Sequence, residues 1–396
     1  MSLIAPFRAI LPTPRHARAV AAPPYDVLST AEARARAAGN PLSFLHVSRP
    51  EIDLPEGVAG DDPAVYAKAA ETMARLLADG TLGRAERAGL YVYRAEIDGH
   101  RQTGIAGAAP VAALGDGRIR RHELTRPAKV ADRARQIEAV GAHTGPVMLS
   151  WRDDPKLADA VAAVAAGPPA LEAGIDGVAH SVWAAGGAAG AALRDAAGRL
   201  ETLYIADGHH RSEAASRVGA SFLAIGFPAS EMRILDYNRA VRDLAGRSPE
   251  EFLAALREVF AVAPSDRPAR PEGPRRFGLY LAGRWYSLAL QAAPAADGDP
   301  AAALDAEILT RTVLAPLLGI ADLRSDPRID FVGGGRGLDG LAARVDSGEM
   351  AAAFALHPVT LEALFAVADA GRAMPPKSTW FEPKLADGLL SLPLEG

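Results

Sequence analysis

The stretch from Thr202 to Gly219 constrains the fold most. Leu203-Tyr-Ile-Ala206 is an apolar, β-prone run of the length of a buried strand, and it stops at the turn pair Asp207-Gly208. A helical pattern runs from His209 to Val218 and ends at Gly219. A strand and a helix therefore meet end to end, with His209, His210 and Arg211 in the first helical turn. A helix start carries unpaired N–H groups and a partial positive charge, so it attracts anions. Two histidines and an arginine on that turn make it suited to phosphate. Asp207 is left over for a metal ion or a hydroxyl. A plain capped helix with Asp207 as its N-cap would explain the aspartate but not the three residues after Gly208. Glu213, one turn beyond His209, reads as an orienting or pairing group.

The rest of the chain reads as α+β. Helices are predicted from Ser29 to before Gly39, from Asp62-Pro63 to Asp79, over 127–140, 156–166, 304–318 and 360–370, and after Ser248-Pro249. Strands 89–97 and 102–111 form a hairpin at Asp98-Gly99, and 277–282 and 284–291 form another around Gly283. Further strands are read at 119–123, 145–151, 221–226, 329–332 and 350–356. The segment 263–274 and the run Gly333-Gly-Gly-Arg-Gly337 read as loops. Hairpins mixed with scattered helices argue against a doubly wound parallel sheet. The expected division is an N-terminal α+β elaboration over 1–114, a catalytic core over 115–243 and a C-terminal α+β domain over 244–396 whose tail docks back on the site.

Composition narrows the function classes. Lys plus Arg number 43 against 48 acidic residues, a net charge of −5, which argues against nucleic acid as a partner. Cysteine is absent, which excludes disulfides, thiolate metal sites and thiol nucleophiles. No uninterrupted apolar run approaches membrane-spanning length, and Pro6, Pro12 and Pro14 break up the first segment, so neither a membrane helix nor a signal peptide is expected. A cytoplasmic protein with small-molecule partners is the expectation, with room for a homo-oligomer. A G-x-S-x-G elbow, a Walker A loop and H-E-x-x-H are all missing, which disfavours three standard enzyme classes.

Four other segments carry chemistry. In Arg120-Arg-His-Glu-Leu-Thr125, Glu123 is either part of a solvated patch or a general base whose basic neighbours hold a phosphate. His122, and Thr125 after it, become substrate contacts in the second reading. Ala22-Pro-Pro-Tyr-Asp26 is a rigid turn from which Tyr25 or Asp26 could reach a ligand. His46 is a lone histidine, either structural or a substrate contact. Lys377, Ser378 and Thr379 have the chemistry of a phosphate loop without its glycines, in a tail that could equally serve to dock Trp380 and Phe381.

Pro23-Pro-Tyr-Asp-Val27, His122-Glu-Leu-Thr125, Asp132-Arg133, Ala206-Asp-Gly-His-His-Arg211 and Met374-Pro-Pro-Lys-Ser-Thr379 with Phe381-Glu-Pro-Lys384 together resemble the bacterial and archaeal family called domain of unknown function 1015. The resemblance spans essentially the whole chain but implies no activity. A narrower one covers residues 115–240: His-Glu followed by Asp-Gly-His-His-Arg is similar to the free serine kinases of the ParB/sulfiredoxin-like superfamily, which phosphorylate L-serine with ADP or ATP and magnesium. It implies a ParB/sulfiredoxin-like mixed core. Glu123 would be the base. Gly208, His209, His210 and Arg211 would hold nucleotide phosphates, and Asp207 would bind Mg2+ or substrate; Asp207 and His209 would complete the catalytic set with Glu123. The long interval between Glu123 and Asp207, and flanking regions with no counterpart, leave the acceptor open. Two other classes stay in play. One is a metal-dependent phosphatase or hydrolase, with His122, Asp207, His209 and His210 around a cation. The other is a nucleotide-responsive regulatory protein.

Overall fold

In the computed structural model, which describes residues 2–292 and 298–394, Leu203–Ala206 is buried throughout. The reason is its place near one end of an eight-stranded mixed sheet. The strands are β1 (Tyr91–Ile97), β2 (His100–Pro110), β3 (Ile119–Arg120), β4 (Val147–Trp151), β5 (Leu171–Ile175), β6 (Val178–Ala184), β7 (Leu203–Asp207) and β8 (Ser221–Pro228), in the order β3-β7-β4-β8-β2-β1-β6-β5. β7 runs parallel to β3 and antiparallel to β4, while β8 is parallel to β4 and antiparallel to β2. Flanked on both sides, β7 needs the near-continuous apolar run it has. A register shift between Ile205 and Asp207 puts a bulge at the end of β7, of the kind that re-aims a side chain beside a functional site.

Helices α1 (Pro63–Ala78), α2 (Pro127–Val140), α3 (Pro155–Ala165), α4 (Gly187–Ala197) and α5 (His209–Val218) complete this part of the fold. Val130, Ala134 and Ile137 of α2 pack on Ala214 of α5. The N-terminal segment builds its own cluster of Ile10, Val20, Phe44, Val47 and Ile52 with Met73 and Leu76 of α1.

Two compact units divide the chain, one of Met1–Met232 with Pro383–Gly396 and the other of Arg233–Glu382. Strands from 91–110 and from 119–228 share the eight-stranded sheet, and residues 233–243 belong to the second unit. The C-terminal segment returns to this first unit by backbone pairing: Ile10 with Ser391, Ala22 with Asp387 and His143 with Leu392. Ala386 N–H also donates to the Tyr93 hydroxyl at 3.0 Å.

The second unit is built on a wholly antiparallel six-stranded sheet. Its strands are β9 (Tyr237–Val241), β10 (Phe260–Ser265), β11 (Arg276–Leu281), β12 (Arg284–Leu290), β13 (Ile329–Gly333) and β14 (Ala352–Leu356), in the order β10-β12-β11-β14-β9-β13. Two loop assignments change. The segment 263–274 begins inside β10, an edge strand where Pro264 is tolerated. The Gly333–Gly337 run opens α6 (Gly337–Asp346), which buries Leu338 and Leu341 and so outweighs the poor helix propensity of its glycines.

Close approach of backbones is strictest where β2 crosses β8. A Cβ on Gly104 would fall 1.8 Å from the Gly226 carbonyl oxygen. Gly104→Ala is expected to lower stability by about 1–3 kcal/mol through forced backbone separation, read as a lower denaturation midpoint in urea; an unchanged midpoint would contradict this packing.

Candidate active site

Gly208 stands in the left-handed region at φ 96° and serves as the N-cap of α5, with no side-chain cap bond. Asp207 is therefore not the cap, and its carboxylate stays available for other partners. A Cβ at Gly208 would lie 3.1 Å from Arg211 Nε and 3.3 Å from Val147 Cα, so conformation and space both require glycine.

The Arg120–Arg126 segment lies over this helix start and is held there at four points. Arg121 forms an ion pair with Glu213, the pairing role read for that glutamate. The His122 ring meets the His209 ring edge-on, with centroids 4.5 Å apart. The backbone N–H of His122 reaches His209 Nε2 at 3.5 Å, and that of Arg126 donates to His210 Nε2 at 3.0 Å. Both histidines thus accept through Nε2, which leaves the ring proton on Nδ1. Glu123 Oε2 stands 3.8 Å from His209 Nδ1. Two motifs far apart in sequence meet here, and Thr125 lies in the same loop.

Burial sets the protonation states. His122 is 2% exposed, and desolvation pushes its pKa down to about 4, opposed by the Asp207 charge and a hydrogen bond to the Ile205 backbone. His209 is pushed well below its ordinary value by burial and by His122 beside it. Both are neutral at pH 7. Burial also disfavours the charged form of Asp207, but Lys384 Nζ at 3.0 Å and Arg211 Nη2 at 3.3 Å outweigh it and hold the carboxyl well below the usual range. Arg211 is itself buried. It donates to the Pro146 carbonyl, pairs with Asp207, and lies 4.0 Å from Asp26 Oδ2; these carboxylates keep it firmly protonated despite its burial.

Tyr25 comes next to this network. Its ring carries the Arg133 guanidinium at 4.3 Å, and burial with the Asp26 charge raises its pKa. Arg49 holds the loop by donating to the Tyr25 carbonyl at 2.7 Å. His46 faces Asp53 at 2.8 Å and the Asn40 carbonyl at 3.1 Å, contacts of a structural histidine. Lys377, Ser378 and Thr379 belong to the second unit. There the fully buried Arg239 donates to the Lys377 and Pro376 carbonyls at 2.9 and 3.2 Å, and the Ser378 hydroxyl donates to the Pro375 carbonyl at 2.7 Å. Lys377 takes a left-handed φ of 57° and holds its ammonium 5.8 Å from the Tyr237 ring.

Sequence reasoning missed Lys384 and Asp387 as site residues. Both sit in the returning C-terminal segment, and Lys384 closes the family's terminal motif, the one signal that could have pointed to it. No group of three or more His, Asp or Glu suited to a metal ion is found among the described residues. Asp207, the one carboxylate assigned to a metal, already has two cationic partners, a poor fit for a resident ion.

The buried histidines predict an acid-sensitive first unit. His122, His143 and His180 have pKa values pushed down by burial to about 4, and His209 also lies well below its ordinary value. In the unfolded chain they protonate near pH 6.5, so between about 6.5 and 4 the folded state binds fewer protons and stability is lost as pH falls. Asp387, pushed up to about 7, and Glu231, also raised, act in the opposite direction. The histidines outnumber them, leaving a net uptake on unfolding of roughly two protons. The melting temperature should fall from pH 7 to 4.5; a level or rising curve would contradict the buried neutral histidines.

The sequence profile described as "Protein of unknown function (DUF1015)" matches residues 4–307, well over half the chain. The chain belongs to the DUF1015 family. No curated protein matches this DUF1015 member. Solved structures similar to it include a conserved hypothetical protein from Pyrococcus furiosus (13% identity, 73% of this chain and 96% of that one, TM-score 0.39). They also include SbnI with a C-terminal truncation from Staphylococcus aureus (13%, 73% and 87%, 0.38) and a free serine kinase in complex with AMP (12%, 73% and 91%, 0.40). No helix among the described residues is long and apolar enough to cross a membrane.

Proposed function

We propose that this DUF1015 chain is a phosphotransferase that uses ADP or ATP to phosphorylate a small hydroxylated metabolite, with free L-serine, giving O-phosphoserine, as the leading candidate. The observation that carries the reading is the docking of the Arg120–Arg126 segment on the start of α5, with Glu123 Oε2 3.8 Å from His209 Nδ1. Phosphoryl transfer asks a protein mainly for positioning and for neutralisation of charge on the transferred group. In this reading the α5 start, with Gly208, His209 and His210, receives the nucleotide phosphates. Arg211 holds the turn and adds positive charge behind it. Glu123, partly exposed beside that start, takes the proton of the acceptor hydroxyl as its oxygen attacks phosphorus.

The motif resemblance implies magnesium as the nucleotide's counter-ion; Asp207, already paired with Lys384 and Arg211, is not assigned to hold it. The donor and serine are supported by the motif resemblance, as is the ParB/sulfiredoxin-like assignment of the core. Tyr25 and Asp26, next to Arg211, are assigned to the acceptor side. The test is incubation with ADP or ATP, Mg2+ and a panel of hydroxylated amino acids and sugars, followed by phosphorus NMR. A new phosphomonoester resonance is expected; release of inorganic phosphate alone would overturn transfer in favour of hydrolysis.

A further inference from the structure

Within the first unit, Arg211 also lines a cavity of about 30 Å³, together with Tyr25, Ser48, Gln136, His143 and Asp387. That space takes about two water-sized groups. Its wall carries polar atoms that the fold leaves unused. Asp387 is 1% exposed, and no side chain hydrogen-bonds to its carboxylate oxygens; it faces the Tyr25 backbone and the charge of Arg211. Gln136 donates its amide to the Val47 carbonyl at 2.7 Å, and its Oε1 is unpartnered. Ser48 Oγ and His143 Nε2 are unpartnered as well, and both residues are buried. Buried polar groups are ordinarily satisfied, so several together in one cavity point to a ligand that satisfies them. Gly145 lets Arg211 pack closely beside the cavity: a Cβ there would lie 3.2 Å from Arg211 Cδ and 3.8 Å from Asp387 Oδ1.

Charge and hydrogen-bonding capacity define the ligand. The charges that face one another around the cavity and the adjoining turn are Asp26, Asp132, Asp207 and Asp387 against Arg133, Arg211 and Lys384. Arg133 pairs with Asp132, Lys384 and Arg211 with Asp207, and Arg211 approaches Asp26. Asp387 feels Arg211, which is already shared by Asp207 and Asp26, and is the carboxylate with no ion pair of its own. The missing partner is small, carries one positive charge and donates several hydrogen bonds to oxygen. A primary ammonium group has three N–H donors and no acceptor. The guanidinium of Arg211, which also lines the cavity, suits a carboxylate or a hydroxyl carried next to that ammonium.

We propose that this cavity receives the primary ammonium group of the phosphate acceptor, with Asp387 as its counter-ion and Gln136 Oε1 and Ser48 Oγ as further acceptors. The word acceptor rests on the phosphotransferase reading; the ammonium site itself does not. The consequence is that the substrate belongs to the hydroxylated amines and amino acids, and not to the sugars, polyols or hydroxy acids.

The test is calorimetric titration of the full chain with L-serine, ethanolamine and glycerate, and separately with ADP and with KCl. Serine and ethanolamine are expected to bind and glycerate is not. Asp387→Asn, nearly the same in shape, is expected to weaken amine binding about 100-fold, since it removes a buried charge partner, and Ser48→Ala about 10-fold. Serine and glycerate binding alike would overturn the proposal. So would no amine binding by the wild type, amine affinity unmoved in both variants, or potassium filling the site in place of the amine. A structure with serine that shows only water in the cavity would do the same. Failure of the phosphotransferase reading looks different: amines bind and respond to both variants, while ADP does not bind.

Discussion

Replacing Glu123 by glutamine is expected to lower kcat by about 10²–10⁴-fold, the range for losing a positioned general base, while ADP affinity stays close to that of the wild type. The side chain is partly exposed, and its Oε2 lies 3.8 Å from His209 Nδ1. Glutamine keeps the size and removes the proton acceptor. His209 cannot take over the role easily, because burial disfavours the imidazolium it would become and its Nε2 faces the His122 backbone N–H. Steady-state kinetics with saturating nucleotide check this. A variant that turns over at the wild-type rate would remove Glu123 from the chemistry and return the Arg120–Thr125 segment to the status of a surface patch.

Arg211→Ala is expected to be the most damaging single change at the site. It should lower stability by about 1–3 kcal/mol, since a buried guanidinium and its hydrogen bonds are lost while the carboxylates it meets stay partly exposed, and abolish measurable nucleotide binding. Asp207 would keep Lys384 as a partner, whereas Asp26 would lose Arg211 altogether and the Pro146 carbonyl would lose its donor. The turn after Gly208 would also lose the side chain that packs beneath it. Arg211→Lys separates charge from shape. It keeps the positive charge but cannot reach Pro146 and Asp207 together, so an intermediate loss is expected in both denaturant midpoint and ADP affinity. Wild-type behaviour of Arg211→Ala in both measurements would contradict the site.

How much of this could be read in the sequence depended on whether the signal was local. Leu203–Val218 was legible because an apolar run, Asp-Gly and a helical pattern announce a strand, a turn and a helix within a few residues. The family motifs brought Glu123 and His209 into one hypothesis. Their meeting in space was not legible, because it rests on backbone N–H groups of His122 and Arg126 donating to histidine rings. The roles of Lys384 and Asp387 were hidden for a similar reason. Bridges such as Ala22 with Asp387 join backbones far apart in the chain, and backbone pairing leaves little trace in side-chain identity. The helix at Gly337–Asp346 was missed because local propensity spoke against it, and tertiary burial of Leu338 and Leu341 decided the outcome. For Lys377 the residue type suggested phosphate; the structure adds that the buried Arg239 holds its backbone carbonyl.

The account stands most directly on ADP binding at the α5 start. Calorimetric titration of ADP into the wild type, Glu123→Gln and His210→Ala decides it. The predicted result is measurable affinity in the wild type, similar affinity in Glu123→Gln, and affinity lowered about 10-fold or more in His210→Ala, as for loss of a hydrogen bond to a charged group. No ADP binding by the wild type, or one affinity shared by all three proteins, would contradict it.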